Sequence, residues 1–190
     1  MTTAAPSGPS IGPSIGCIET SSLAKGYEAL DAMLKKAAVE PLMVTAVPRG
    51  KLLIMIGGPL AEVEQSMLAG LEVAGKTLVD HFTIQNAHQQ LPAAIKGRVK
   101  VEAIEAIGLI ETKEVASAIY AGDAAAKAAA VTLIEARNQP GAKGLVVMTG
   151  DVGAVRAAVS AGAATVKKDM LIAEFVIPFG HKDLLKQLTG

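Results

Sequence analysis

The sequence predicts an α+β fold in which one βαββαβ unit of the ferredoxin-like kind occurs twice in tandem. Three observations support this prediction. The chain of 190 residues repeats itself at a fixed spacing, each copy alternates strand and helix patterns in the same order, and 51% of the residues are apolar although only 3% are aromatic. Repeats are sought first because each copy forms one structural unit. In this order of elements, two helices cover one face of a four-stranded antiparallel sheet.

The repeat is visible as a block of six residues that occurs twice with little change. Residues 15–20 read IGCIET, and 92 positions later residues 107–112 read IGLIET. The same spacing pairs Asp31 with Asp123, Lys35 with Lys127, Pro48 with Pro140, Lys51 with Lys143 and Gly58 with Gly150. A spacing of 93 then pairs Phe82, Ile84, His88 and Leu91 with Phe175, Ile177, His181 and Leu184. The chain is therefore predicted to be a tandem duplication.

The first copy is predicted to contain four strands and two long helices, with a short helix after His88. The strands are short apolar runs at 15–20, 42–47, 51–56 and 78–84. Apolar residues at helical spacing predict a helix over 23–38, which Ser21 or Ser22 can cap. A second helix follows at 60–75, and the residues 48–50 form a turn between two strands.

The second copy repeats this order. Its predicted elements are strand 107–112, helix 114–130, strand 132–138, turn 139–143, strand 144–149, helix 152–165, strand 171–177 and short helix 181–188. The first domain is predicted over 15–96 and the second over 105–190. Residues 1–14 carry no charged side chain and lack the features of a signal peptide. They are predicted to be a flexible tail, and the protein is predicted to be cytoplasmic.

The composition argues against several classes of protein. Eighteen basic and eighteen acidic side chains leave no net charge, whereas a nucleic-acid-binding protein needs a basic face. An uninterrupted apolar run long enough to cross a membrane does not occur. Charged residues make up only 19%, which leaves little polar surface to cover a monomer and predicts extensive contacts between subunits. A single cysteine excludes a disulfide framework within one chain.

Glu19 and Glu111 are the most conspicuous candidates for chemistry. As a catalytic pair, the two carboxylates would have to lie close together and differ in pKa. The alternative is that each ends its own strand as a hydrogen-bonded or partner-facing residue. Duplication places equivalent residues at separate sites, which favours the second interpretation.

The remaining candidates favour structural roles. His81, His88 and His181 lack Cys or carboxylate residues at metal-ligand spacing and are expected to pack or to cap helices. The glycine-rich turns before the second helix of each copy lack the spacing of a phosphate-binding loop, and Asp151 is expected to cap its helix. Cys17 is expected to be a small buried hydrophobe. The sequence thus predicts no catalytic, cofactor-binding or metal-ligating residue.

Taken together, these motifs resemble the BMC domain, which is the shell domain of bacterial microcompartments. The resemblance rests on the Ile-Glu-Thr strands, on Asp-Ala-x-x-Lys in the first helix of each copy, and on the GDVGAV sequence of residues 150–155. Residues 176–181 are similar to the family's Ile-Pro-Arg-Pro-His ending, with Phe179-Gly180 in place of Arg-Pro. The resemblance covers residues 14–190, and several of its motifs occur twice in the same order.

The resemblance implies a structural role without enzymatic activity. Single-domain members of the family form flat hexagonal hexamers, and tandem-domain members form trimers with pseudo-sixfold symmetry. A duplicated, non-permuted chain therefore implies a pseudohexameric homotrimer that self-assembles with other shell proteins into the shell facet. Lys35 and Lys127 match the family's edge lysine, which packs tiles side by side.

The loops between the second and third strands of each copy match the family's central pore. In this chain they comprise Pro48, Arg49, Gly50, Pro140, Gly141 and Ala142. Tandem-domain members of the propanediol-utilisation type carry a Cys in the first loop, where three copies hold an iron–sulfur cluster. This chain has Pro48 there, so no cofactor is expected. Three Arg49 side chains would form a positive collar that favours anionic metabolites.

Two other interpretations remain open from the residues alone. A duplicated ferredoxin-like fold can serve as a small-molecule-binding regulator or an enzyme, which would need convergent polar groups in a cleft between the copies. A redox carrier would need Cys17 of three subunits to meet, and a Cys inside a strand is poorly placed for that. The sequence favours a shell tile with a metabolite pore, with neither nucleic acid nor membrane as a partner.

Overall fold

The computed structural model describes residues 14–101 and 105–189. The first half contains β1 (Ser14–Thr20), α1 (Leu23–Lys36), β2 (Glu40–Val47), β3 (Lys51–Gly58), α2 (Leu60–Ala74), β4 (Leu78–Ile84) and α3 (Leu91–Lys96). The second half contains β5 (Ala106–Thr112), α4 (Val115–Ala128), β6 (Thr132–Gln139), β7 (Lys143–Gly150), α5 (Val152–Ala164), β8 (Leu171–Pro178) and α6 (Lys182–Thr189). Most of the predicted tail lies outside the described residues, although Ser14 is the first residue of β1.

Each half forms its own four-stranded antiparallel sheet. The strand orders are β2-β3-β1-β4 and β6-β7-β5-β8. Even the irregularities are repeated, because β2 shifts register between Pro41 and Met43 and β6 shifts between Leu133 and Glu135, at corresponding positions. The predicted α+β fold with two βαββαβ units is therefore confirmed.

Local capping residues determine where several helices begin. Ser22 accepts the N–H of Lys25 at 3.3 Å at the start of α1, and Asp151 accepts the N–H of Ala154 at 2.9 Å at the start of α5. Both predicted caps are confirmed. Helices α1 and α4 end two residues earlier than predicted, because the backbone turns to an extended conformation at Ala37 and Ala129. Alanine itself gives no sequence signal for a helix end, since it has the highest helix propensity.

Small residues let the helices lie close to one another and to their sheet. A Cβ atom on Gly70 of α2 would lie 2.6 Å from the Met33 side chain of α1. In the second half, a Cβ atom on Gly162 of α5 would lie 2.7 Å from the backbone oxygen of Ala121 in α4. The alanine- and glycine-rich composition therefore serves close packing of backbones. Within the described residues, no helix is both long and apolar enough to cross a membrane.

The two halves share apolar contacts. One buried cluster joins Cys17, Leu53 and Phe82 of the first sheet to Ile110 and Ile119 of the second half. Helix α3 of the first half also packs against β6 of the second half. These contacts bring the first sheet against α4, and the polar groups of the candidate site lie along this junction.

Candidate functional site

The two predicted pore loops are tight turns at corresponding ends of the two sheets. Between β2 and β3, the residues Pro48–Gly50 form a single 3₁₀ turn, in which Arg49 has a φ of 68°. Between β6 and β7, Gly141 and Ala142 have φ values of 85° and 65°. A left-handed conformation costs a residue with a Cβ atom about 1–2 kcal/mol. The first loop adopts it at its tip and presents the exposed Arg49 side chain there.

Lys51, the residue after the first loop, is held in a buried ionic cluster. Its Nζ lies 3.0 Å from Oε1 of Glu19 on β1 and also contacts Oε2 of Glu114, which precedes α4. Glu19 is fully buried, and Lys51 is nearly so. The cluster therefore connects the root of the first pore loop to the second repeat.

Glu19 also caps a helix of the other repeat. Its Oε2 accepts the N–H of Val115 at 2.9 Å and the N–H of Ala116 at 3.0 Å. These are the first two residues of α4, where unpaired N–H groups and the helix dipole favour a negative charge. At the start of α4, the Glu19 carboxylate thus has the capping role that the Ser22 side chain has at the start of α1.

Burial and hydrogen bonding shift the pKa values of this cluster. Burial raises the pKa of Glu19, while the N–H of Ala116 and the ammonium of Lys51 act in the opposite direction. Burial acts to lower the pKa of Lys51, but its hydrogen bonds to Glu114 and Glu19 outweigh that effect and raise it. The ammonium form of Lys51 is therefore favoured by its two carboxylate partners.

The equivalent pair in the second repeat has a different environment. Lys143 Nζ lies 2.6 Å from Glu111 Oε1, but these side chains are 47% and 34% exposed. The position that corresponds to Glu114 is occupied by Ser22, at the start of α1. Glu19 and Glu111 lie in different sheets and bind different lysines. They are two separate structural pairs, which agrees with the second of the two sequence interpretations.

Further contacts hold β4 of the first repeat against α4. Ser117 Oγ donates a hydrogen bond of 2.5 Å to Oδ2 of the buried Asp80. The rings of Phe82 and Tyr120 stack with their centroids 5.6 Å apart. Both contacts join the two repeats, since β4 belongs to the first and α4 to the second.

The segment after β4 binds the second repeat at its other end. The backbone N–H of His88 donates to Asp123 Oδ1 at 2.7 Å. The Gln90 side chain accepts the N–H of Leu133 at 2.7 Å and donates to the carbonyl oxygen of Val131 at 3.0 Å. Gln90 therefore satisfies backbone groups at the beginning of β6.

The two predicted edge lysines lie at the ends of α1 and α4. Lys35 Nζ is 2.6 Å from Asp31 Oδ2, and Lys127 Nζ is 2.5 Å from Asp123 Oδ2. The first pair is exposed, whereas Asp123 is buried because it also binds the N–H of His88. The structure positions both lysines at equivalent places of the two repeats.

Cys17, His88 and His181 occupy structural positions, whereas the side chain of His81 is exposed. Burial raises the pKa of the Cys17 thiol, whose side chain is fully enclosed in the junction core, as predicted. The Nδ1 atoms of His88 and His181 accept the backbone N–H groups of Gln90 and Asp183 at the starts of the two short helices. Across the described ranges, no group of three or more His, Cys, Asp or Glu side chains is arranged to hold a metal ion.

Sequence reasoning missed the capping role of Glu19 and the participation of Glu114, Asp80 and Ser117. One signal could have revealed the first of these. The second copy has Lys113-Glu114 where the first copy has Ser21-Ser22, so its helix begins without a Ser, Thr, Asp or Asn to cap it. A buried glutamate from another element is one way to supply the missing acceptor.

Comparisons with known proteins give consistent matches to both repeats. The BMC domain family matches residues 14–87 and 106–179. The bacterial microcompartment shell protein PduT of Citrobacter freundii is 38% identical over 178 residues, which are 92% of this chain and 97% of PduT. The bacterial microcompartment shell protein PduA of Salmonella typhimurium is 42% identical over 85 residues, which are 44% of this chain and 90% of PduA. The crystal structure of a microcompartments protein from Desulfitobacterium hafniense DCB matches with a TM-score of 0.79 at 41% identity, covering 92% of this chain and 98% of that one.

Proposed function

Since the chain belongs to the BMC domain family and is a structural shell protein of a bacterial microcompartment, we propose that three copies close into a pseudohexameric tile with a pore on its axis. The relatives named above are shell proteins, which supports a role without catalysis. The main support for the proposed trimer is the junction between the two repeats of one chain. Several residues that form this junction have counterparts that are exposed in a single chain.

The apolar face of α1 supports this proposal. Tyr27 is 56% exposed, whereas its counterpart Ile119 on α4 is fully buried against the first repeat. Leu23 is likewise exposed, while its counterpart Val115 is buried. An exposed apolar stripe on a helix is typical of a surface that another protein covers. The first sheet covers the corresponding stripe of α4, so the second sheet of a neighbouring copy is the natural cover for α1.

The second sheet carries the complementary surface. Phe175 on β8 is 62% exposed, and its counterpart Phe82 on β4 is 6% exposed because it packs on α4. In the proposed trimer, Phe175 packs on α1 of the next copy. The two exposed surfaces lie at opposite ends of the duplicated chain, which makes the contact heterologous. Such contacts form a closed ring when the rotation between units divides a full turn.

The polar groups follow the same correspondence. The exposed Glu111–Lys143 pair corresponds to the buried Glu19–Lys51 pair, so Glu111 would accept the N–H groups of Leu23 and Ala24 at the start of the neighbouring α1. The N–H of His181 would bind Asp31 of the neighbour, as the N–H of His88 binds Asp123 within the chain. These contacts would desolvate charges that are exposed in a single chain.

The proposed pore lies where the loops of three copies meet. Three Arg49 loops would alternate with three loops of residues 140–142. The exposed guanidinium at the tip of the first loop supports a collar that favours small anionic metabolites, because rings of positive side chains attract anions. Lys35 and Lys127 are proposed to contact neighbouring tiles at the rim.

The mass in solution tests the trimer. Light scattering is expected to give three times 19.4 kDa, and negative-stain images of the same sample are expected to show hexagonal particles. Tyr27→Glu is expected to yield monomers because it places a charge in the proposed interface. Leu68→Glu is the matched control, since Leu68 is 61% exposed on α2 and its counterpart Ser160 is exposed as well. A wild-type monomer, or equal dissociation of both variants, would contradict the proposal.

A further inference from the structure

Val99 and Val101, from the segment that joins the repeats, lie against the second sheet at its outer strand β6. The N–H of Val99 donates to the carbonyl oxygen of Ile134 in β6 at 2.8 Å. Val101 packs against a buried cluster of Ile107, Ile134 and Val147 on the sheet face away from α4 and α5. Val101 thus covers an apolar surface, and Val99 satisfies a backbone group of an edge strand.

The first sheet has the same surface, and it forms a groove. A cavity of about 360 Å³ lies between β2 and α3. Its floor includes Ile15, Leu42 and Met55, which are the counterparts of Ile107, Ile134 and Val147. Leu42 also lies at the register shift of β2, as Ile134 lies at that of β6. Of residues 14–101 and 105–189, none occupies this groove in the way that Val99 and Val101 occupy its counterpart.

The residues before β1 have the length and the chemistry to fill this groove. The spacing of 92 places Ser7 on Val99 and Pro9 on Val101, and five positions separate Pro9 from Ser14 just as they separate Val101 from Ala106. Ser7 has the backbone N–H that a hydrogen bond like that of Val99 requires, whereas the prolines at positions 6 and 9 have no N–H to donate. The segment carries no charge, so burying it would desolvate no ionised group.

From this correspondence we propose that the groove between β2 and α3 binds residues 6–11 of the same chain. The N–H of Ser7 donates to the carbonyl oxygen of Leu42, and Pro9 fills the apolar cavity above Ile15 and Met55. This docking does not depend on the trimer, because both the groove and the segment belong to one chain.

Disulfide formation tests the docking in the full-length chain. Pro9→Cys combined with Leu42→Cys is expected to form a bond under mild oxidation, detected as a faster-migrating monomer on non-reducing gels. Pro9→Cys combined with Leu68→Cys is the control, since Leu68 lies on α2, on the other face of the sheet. The control has the same tether, and we expect its bond to form at least about tenfold more slowly. Pro9→Cys alone reports any bond to the buried Cys17.

The outcomes separate the proposal from its alternatives. A monomeric bond specific to the Leu42 variant supports it. Bonded dimers would assign the groove to a neighbouring copy, and equal rates in both pairs would mean that the segment does not dock; either result overturns the proposal. Amide exchange of the unmodified chain gives a second test without substitutions. Ser7 is expected to exchange at least about tenfold more slowly than Thr3, and equal rates would also overturn the proposal.

Discussion

Glu19 shows how one side chain can join two repeats. It is fully buried, binds Lys51 in its own repeat and accepts two N–H groups at the start of α4 in the other. A carboxylate in this position satisfies donors that would otherwise be buried without partners. The cost of burying its charge is offset by three hydrogen bonds, so the arrangement depends on all of its members.

Glu19→Gln is expected to lower the free energy of unfolding by about 3 kcal/mol, because Lys51 loses one of its buried partners and an amide caps α4 less well. Urea denaturation measures this change. Glu28→Gln is the control, since the Lys25–Glu28 pair is exposed and its loss is expected to change stability by no more than about 0.5 kcal/mol. Equal losses of unfolding free energy in both variants would show that the buried cluster stabilises the chain no more than an exposed ion pair does.

The raised pKa of Lys51 predicts that the stability of the fold changes with pH in the alkaline range. Its pKa in the folded chain lies above the ordinary 10.5, so its stabilising effect is fully present below that value and is lost as the pH rises through the folded pKa. Lys51→Met removes the titrating group. The difference in unfolding free energy between wild type and Lys51→Met, measured from pH 9 upward, is therefore expected to decline at high pH. A difference that grows with pH would contradict the assigned direction.

At this scale, sequence reasoning succeeds where a contact is local. Ser22 and Asp151 cap residues three positions away, so their roles can be inferred from neighbouring residues. Glu19 reaches N–H groups 96 and 97 positions away. Such a partner follows from how the repeats pack, which no pattern around Glu19 encodes.

The elements owe their close packing to small residues. Gly144 at the start of β7 faces α4, and a Cβ atom there would lie 2.4 Å from Cβ of Ala118 and 2.7 Å from the carbonyl oxygen of Glu114. These neighbours are a Cβ atom and a backbone oxygen of the second repeat, so the overlap cannot be relieved by rotating a long side chain. The position of α4 on its sheet, and with it the capping by Glu19, therefore depends on this glycine.

Gly144→Ala is expected to destabilise the chain by about 1–3 kcal/mol, because α4 must move away from the sheet. Thermal or urea denaturation measures the effect. Gly97→Ala serves as the control, since its backbone is extended and no atom lies within 4 Å of the added methyl group. A neutral Gly144→Ala variant would mean that α4 adjusts its position without cost.

Element order was predictable because apolar periodicity differs between strands and helices, and because the repeat supplied each assignment twice. The helix ends at Lys36 and Ala128 were missed since the following residues are alanines. The contact of α3 with β6 was also not predicted. Short helices carry few periodic residues, so a sequence pattern does not indicate which surface they cover.

For the whole molecule, the proposed pore makes a prediction about anions. The wild-type trimer is expected to bind inorganic phosphate at one site per three chains in isothermal titration calorimetry. Arg49→Gln is expected to weaken this binding by about tenfold or more, since three charged donors are lost together. Arg156→Gln removes the same charge from an exposed position on α5 and is expected to have no effect. Identical phosphate binding by the two variants would argue against an anionic pore.

The proposed tile edge makes a separate prediction. Lys35→Ala is expected to leave the trimer intact and to abolish extended sheets in negative-stain images, because the proposed contacts between tiles are lost. Loss of its exposed pair with Asp31 should barely affect folding. Lys36→Ala removes the adjacent exposed lysine and is expected to form sheets normally. Sheets formed by the Lys35 variant would show that this residue does not hold tiles together.

The duplicated architecture was predictable because the repeat keeps a spacing of 92 from residue 15 to residue 58 and of 93 from residue 82 to residue 91. The junction between the repeats was not predictable, since it combines residues from β1, β3, β4 and α4. Residues such as Tyr27 and Phe175 acquire meaning only when their exposure is compared with that of Ile119 and Phe82. This difference in exposure arises from the packing of the two repeats in the folded chain.

The covalent link between the repeats has a consequence for how the tile responds to dilution. A ring made from separate single repeats must gather six bodies, so its formation depends steeply on concentration. In the duplicated chain, every second junction is already closed at a high effective concentration, and only three bodies must meet. If the trimer forms as proposed, tiles of this chain should persist at low copy number, where rings of unlinked repeats with equally strong junctions would dissociate.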